Sequence, residues 1–260
     1  MSRMIIHVNK VDVAYREEGK GEPILLVHGF CGSSDYWRNL IHDLAQTYRV
    51  IALDLPGHGD SSVQENINEI DQYATFIRDF LDELKIDRVT MFGHSLGGYI
   101  TLAFAEMYSD RLKGFSLIHS TAYPDSEEAK KGRDTSADKI ETEGMEAFIE
   151  GLVPKLFSPK HLDSHHKEIR EVKNIGYSTT PAGAKNALLA MKNRIDRRQV
   201  IETTNVPVLL IAGEEDQLIP SEKVFTAKGQ HIKQILLKDV GHMSMYEAPQ
   251  ELIQEILEFK

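Results

Sequence analysis

Six short apolar runs punctuate the chain, each closed by turn residues and most followed by a stretch with helical spacing. Residues 24–27 (Ile-Leu-Leu-Val) end in His28-Gly29, residues 49–53 in Asp54-Leu55-Pro56-Gly57, and residues 88–92 at Gly93. Residues 114–118, 208–212 and 234–237 complete the set. Strands this continuously apolar belong to a parallel sheet whose two faces are covered by helices. Helical patterns occupy 37–46, 70–84, 98–108, 223–227 and 249–259. Such alternation predicts right-handed βαβ crossovers and a doubly wound, mostly parallel α/β sheet. Residues 5–8 and 11–16 read as an antiparallel lead-in to it.

One stretch breaks the rhythm. Residues 121–198 carry no strand signal, while 140–155, 161–175 and 181–193 carry helical ones, the last opened by Thr180-Pro181. A helical block between two strands of one sheet predicts an inserted helical lid at 121–198 on a core made of 1–120 and 199–260. Its apolar positions Phe148, Leu152, Val153, Leu156 and Phe157 need a partner. The core's open edge would supply one, making part of that stripe a pocket roof. Lys130-Lys131-Gly132-Arg133, balanced by neighbouring acids, reads as an exposed loop.

Gly93-His94-Ser95-Leu96-Gly97 lies directly after one predicted strand and before a helix. This is a G-x-S-x-G elbow in its required strand–turn–helix setting. A serine on so tight a turn is strained, and glycines two positions either side give the neighbouring chain room. Its hydroxyl then projects above the sheet edge at a helix N-terminus, where free N–H groups favour developing negative charge. The plain alternative is a helix-capping serine.

A serine hydroxyl needs a base, and the base an orienting acid. Residues 213–220 (Gly-Glu-Glu-Asp-Gln-Leu-Ile-Pro) and 239–243 (Asp-Val-Gly-His-Met) both follow predicted strand ends, where open α/β sheets place their sites. The chain has eleven histidines, so His242 is singled out by position, after the last strand and before the final helix. Asp216 is favoured as the acid because it sits furthest into its loop, with Glu215 as runner-up. A carbonyl substrate also needs two oxyanion donors. The backbone N–H groups of Leu96, after the nucleophile, and Phe30, in the loop after residues 24–27, are the candidates. The Phe30 side chain would wall the pocket. Cys31 beside it reads as a packing residue.

Taken in order, His28-Gly29-Phe30, Asp54 to Gly59, Gly93 to Gly98, Gly213 to Pro220 and Gly241-His242 resemble the α/β-hydrolase family, specifically its serine-nucleophile esterase, enol-lactonase and C–C-bond hydrolase branch. They span most of the chain outside the lid. The resemblance implies an α/β-hydrolase fold and two-step acyl transfer on a small or medium carboxylic ester or lactone, without cofactor. It makes the loop of residues 54–61 structural, and makes Asn193-Arg194-Ile195-Asp196-Arg197 the return from lid to core. Serine at the nucleophile, and Leu96 rather than tryptophan after it, depart from the family's haloalkane dehalogenases and epoxide hydrolases. The single tryptophan, Trp37, reads as a core anchor. C–C-bond hydrolysis, cofactor-free perhydrolysis or a hydrolase-like ligand receptor would use the same three residues.

Bulk properties narrow the setting. The 260 residues carry a formal charge of −10, which argues against nonspecific binding to nucleic acid or anionic membranes. One cysteine excludes an intramolecular disulfide. No apolar stretch approaches bilayer length and no leader pattern opens the chain, so a cytoplasmic protein is expected, as monomer or homodimer. His161, His165 and His166 share helical spacing but lack a further ligand at defined distance, and read as solvated. No metal is expected.

Overall fold

The computed structural model describes residues 3–259. Eight strands form one sheet: β1 (Met4–Val8), β2 (Val11–Glu18), β3 (Pro23–Val27), β4 (Arg49–Leu53), β5 (Val89–His94), β6 (Leu112–Ile118), β7 (Val208–Gly213) and β8 (Ile232–Leu237). Their spatial order is β1-β2-β4-β3-β5-β6-β7-β8. The hairpin of β1 and β2 joins β4 antiparallel, and every later pairing is parallel. All six apolar runs are strands. Their side chains are almost wholly buried in β3, β4, β6 and β7, as a sheet covered on both faces demands.

The helices are α1 (Arg38–Leu44), α2 (Ile70–Glu83), α3 (Leu96–Met107), α4 (Glu127–Leu152), α5 (His166–Tyr177), α6 (Pro181–Asn193), α7 (Arg198–Thr203), α8 (Ser221–Val224), α9 (Ser244–Glu247) and α10 (Pro249–Glu258). Helix α3 is apolar all round and buried over ten residues because it packs on the sheet's centre. The chain between β6 and β7 holds α4 to α7 and, among the described residues, no strand. It rests on the core through backbone contacts: the Thr180 N–H donates to the Gly57 carbonyl at 2.9 Å, and the His242 N–H to the Leu156 carbonyl at 2.7 Å.

Four local expectations need correction. Residues 130–133 are not a loop but part of α4, which starts thirteen residues before the expected 140. Ser126 caps it by accepting from the Ala129 N–H, and Glu127 and Glu128 suit the helix dipole. Most of its first half faces water, so it shows no apolar stripe to read. Gly144, at φ 85°, kinks it before the apolar second half. The helix expected over 161–175 begins at His166, and 161–165 form a turn, so the three histidines do not share one helix. The helix expected at 223–227 is α8, which ends at Val224. The short α9 had no pattern long enough to reveal it.

Candidate active site

Ser95 sits between the end of β5 and the first residue of α3 with φ 52° and ψ −113°, a conformation that L-residues rarely adopt. Its side chain makes no capping hydrogen bond to the helix, so the capping alternative fails. The flanking glycines are dictated by contact. A Cβ on Gly97 would lie 2.2 Å from the Val27 carbonyl oxygen, and one on Gly93 2.3 Å from the Gly97 oxygen. The turn is held by the Ser95 N–H donating to the Ile118 carbonyl and the Ser120 hydroxyl donating to the Ser95 carbonyl. Leu96 opens α3, so its N–H has no acceptor within the helix. The loop after β3 runs alongside: a Cβ on Gly29 would meet the Ser95 Cβ at 3.2 Å. Phe30 follows it and lines the same cavity as Ser95.

His242 reaches that cavity from the loop after β8. Its Nδ1 lies 2.7 Å from Asp216 Oδ2, and both groups are buried. Asp216 Oδ1 accepts from the Leu218 and Ile219 N–H groups at 2.9 and 3.0 Å, which fixes the carboxylate. Since an anionic carboxylate only accepts, His242 Nδ1 carries the proton and Nε2 keeps its lone pair. Glu215, the runner-up, points elsewhere, pairing with Lys160 at 2.6 Å.

Three further residues shape the site without having stood out in the sequence. His119 follows β6, is fully buried, and brings Nδ1 to 3.4 Å from the same Asp216 Oδ2; neither ring nitrogen has a good hydrogen bond. Burial raises the Asp216 pKa, but the facing imidazoles of His242 and His119 outweigh it, holding it well below the usual carboxylate range. Burial pushes His119 below the ordinary imidazole value and His94 well below it, so both are neutral. His94 donates from Nε2 to the His242 carbonyl at 2.8 Å. Glu247 clamps the His242 loop, accepting from Gly241 and Met243 at 3.0 and 3.1 Å through one oxygen and from Ser158 at 2.7 Å through the other. Position was the only available signal: His119 and Glu247 lie just past a strand end and just after the predicted base.

The cavity measures about 600 Å³ and joins core to inserted helices. Its apolar wall includes Phe30, Phe148, Leu152, Leu156, Leu188 and Met191. The Phe30 and Phe148 rings meet edge-on at 5.9 Å. Of the expected roof residues, Phe148, Leu152 and Leu156 line the cavity, while Val153 and Phe157 are buried behind them. Trp37 is fully buried, as a core anchor should be, and burial pushes the Cys31 thiol up, away from thiolate reactivity. Asp54 ties its loop down by accepting from the Ser34 and Asp60 N–H groups.

Among the described residues, two clusters bring ligand-type side chains together. In His119–Asp216–His242 the 2.7 Å approach of nitrogen to oxygen is a hydrogen bond, too close for two ligand atoms each about 2 Å from one tetrahedral ion. In Glu214–Glu215–Asp239 the Lys160 ammonium already pairs with both Glu215 and Asp239, occupying the place an ion would take. Among the described residues, no helix is long and apolar enough to cross a membrane.

With this geometry in hand, similarity to known proteins acquires meaning. The family pattern of the alpha/beta hydrolase fold matches residues 22–142. The fold superposes on a thermophilic esterase from Thermogutta terrifontis with a TM-score of 0.92 at 29% identity, covering 99% of this chain and 97% of that one. An enol-lactonase from Burkholderia xenovorans LB400 gives 0.89 at 24% identity, over 98% and 99%, a likeness of fold. The dihydrolipoyllysine-residue acetyltransferase component of an acetoin cleaving system from Pseudomonas putida is 29% identical over 92% of this chain. The chain spans less than two thirds of that relative, 63% of its length. The matched segment carries β3, β4, the Ser95 elbow and β6, and the superposition on the esterase covers nearly the whole chain. The chain has the α/β-hydrolase fold.

Proposed function

We propose that the protein is a serine hydrolase that cleaves a small or medium carboxylic ester or lactone through an acyl-enzyme. The observation that carries this reading is the buried 2.7 Å contact of His242 Nδ1 with Asp216, on an imidazole that shares its cavity with a strained, uncapped Ser95. His242 Nε2 takes the Ser95 proton as the hydroxyl attacks the carbonyl carbon. The N–H groups of Phe30 and Leu96 hold the oxyanion. His242 then protonates the leaving oxygen, and the same base activates the water that releases the acid. Asp216 fixes the imidazole's tautomer and stabilises its cationic form. The segment 121–198 serves as a lid whose apolar face sizes the acyl group. The likeness to an esterase supports the reaction class.

Hydrolysis of 4-nitrophenyl acetate, butyrate and octanoate by the wild type and Ser95→Ala tests it, beside mass spectrometry after treatment with a fluorophosphonate. Turnover lost in the alanine variant, with one adduct on the peptide containing Ser95, supports the reading. Wild-type activity retained by Ser95→Ala overturns it.

A further inference from the structure

The charges inside the cavity run against those of the chain. The sequence carries 40 acidic and 30 basic residues, excluding histidine. The cavity lining, by contrast, contains Arg133, Arg194 and Lys223 and a single carboxylate, Asp125, besides His94 and His242. Asp125 is almost wholly buried and holds both guanidinium groups, Arg194 Nη1 at 2.5 Å and Arg133 Nε at 3.0 Å. Arg194 is then consumed by the fold: it also donates to the carbonyls of Tyr123 and Met191 and lies 4.1 Å over the Tyr99 ring.

Arg133 is not. Its pairing with Asp125 uses only the Nε edge, and among the described residues its two terminal nitrogens have no acceptor. Lys223, an exposed residue of α8 at the cavity's edge, has no carboxylate partner among the described residues and lies 4.7 Å over the Tyr123 ring. Exposed basic residues of this chain commonly find acids, as Lys130 does Glu127 and Lys192 does Asp134. Three cations against one carboxylate leave an excess of positive charge at a largely apolar cavity, which suits an anion. A guanidinium with a free fork, held by a buried carboxylate, suits the planar geometry of a carboxylate.

We propose that Arg133 and Lys223 form a carboxylate subsite in the cavity of Ser95, so that the substrate is an ester or lactone bearing a free carboxylate beyond an apolar spacer. Asp125 and Arg194 are its positioning pair. The proposal rests on the reading of Ser95 as nucleophile only for the word substrate; the anion subsite stands on the lining itself.

The test compares mono-4-nitrophenyl adipate with 4-nitrophenyl hexanoate, which share chain length and leaving group and differ in the terminal carboxylate. The ratio of their kcat/KM values is measured for wild type, Arg133→Met, Arg133→Lys and Lys223→Met. A charge-assisted hydrogen bond predicts a wild-type ratio of roughly 10 or more and a roughly tenfold fall in it for each methionine variant. Arg133→Lys should recover part of that fall, and 0.5 M salt should reduce the wild-type ratio. Lys223→Met breaks no ion pair, so it decides the matter even if Arg133→Met misfolds. A wild-type ratio near or below 1, or one that Lys223→Met leaves unmoved, overturns the subsite while leaving the esterase reading intact. If neither ester is cleaved, binding of adipate is read by ligand-observed NMR. Binding weakened in Lys223→Met keeps the subsite and discards the esterase reading, and absence of binding discards both.

Discussion

Replacing Asp216 by Asn isolates the role of the acid, because the structure dictates how the amide must sit. Asp216 Oδ1 receives two backbone N–H groups, from Leu218 and Ile219. Turning the amide nitrogen toward them would set donors against donors and leave buried groups unpaired, at about 1–3 kcal/mol each. The Asn oxygen therefore keeps that place, and its NH2 faces His242 Nδ1 across the former 2.7 Å contact. His242 must then accept at Nδ1 and carry its proton on Nε2, the wrong tautomer for deprotonating Ser95. The equivalent change in a serine protease triad lowers kcat by about 10⁴, or about 5 kcal/mol at 1.36 kcal/mol per decade. The assay is kcat and KM for 4-nitrophenyl butyrate, with circular dichroism to confirm folding. The loss should fall in kcat, since Asp216 does not itself line the cavity. Glu215→Gln, which breaks only a pairing with Lys160 at the protein's edge, serves as the control. A folded Asp216→Asn within tenfold of wild type, or a larger loss in Glu215→Gln, would refute the assignment.

Further outcomes follow from the same contacts. Because Ser95 holds φ 52°, Ser95→Gly should be more stable in thermal unfolding than Ser95→Ala by roughly 1 kcal/mol, with both inactive; equal stability would mean the turn is unstrained. Gly97→Ala should cost several kcal/mol or prevent folding, since its Cβ would strike the Val27 carbonyl; a variant with wild-type melting temperature speaks against the packing described. His28 and His58 are buried and pushed down to about 3 and about 4 by desolvation, so below pH 6.5 only the unfolded chain takes up their protons. Each then removes about 1.4 kcal/mol of stability per pH unit down to its folded value, and urea midpoints should fall steadily from pH 7 to pH 5. A flat profile would place these rings in water. Glu247→Gln should lower kcat more than it raises KM, because one carboxylate oxygen orders the two N–H groups flanking His242; an unchanged kcat would show that loop to be held by other contacts.

The sheet and the triad candidates were legible from the residues alone. Strands buried on both faces must be continuously apolar, so their positions are written locally, and the elbow at Ser95 is a local backbone demand met by Gly93 and Gly97. Chain order after strand ends then selected Asp216 and His242. Features made by residues distant in sequence emerge only in the folded chain. Asp216 was favoured over Glu215 only by its place further into the loop; that it meets His242 while Glu215 turns to Lys160 depends on how the acidic run folds. His119 matters only because the end of β6 faces the loop after β7. The first half of helix α4 hid the same way: it is charged and solvated on most sides, so no apolar period announced that Arg133 stands on a helix lining the cavity. Hydrophobic periodicity reports how an element is buried, whereas a polar residue's task is set by the partner that the fold brings to it.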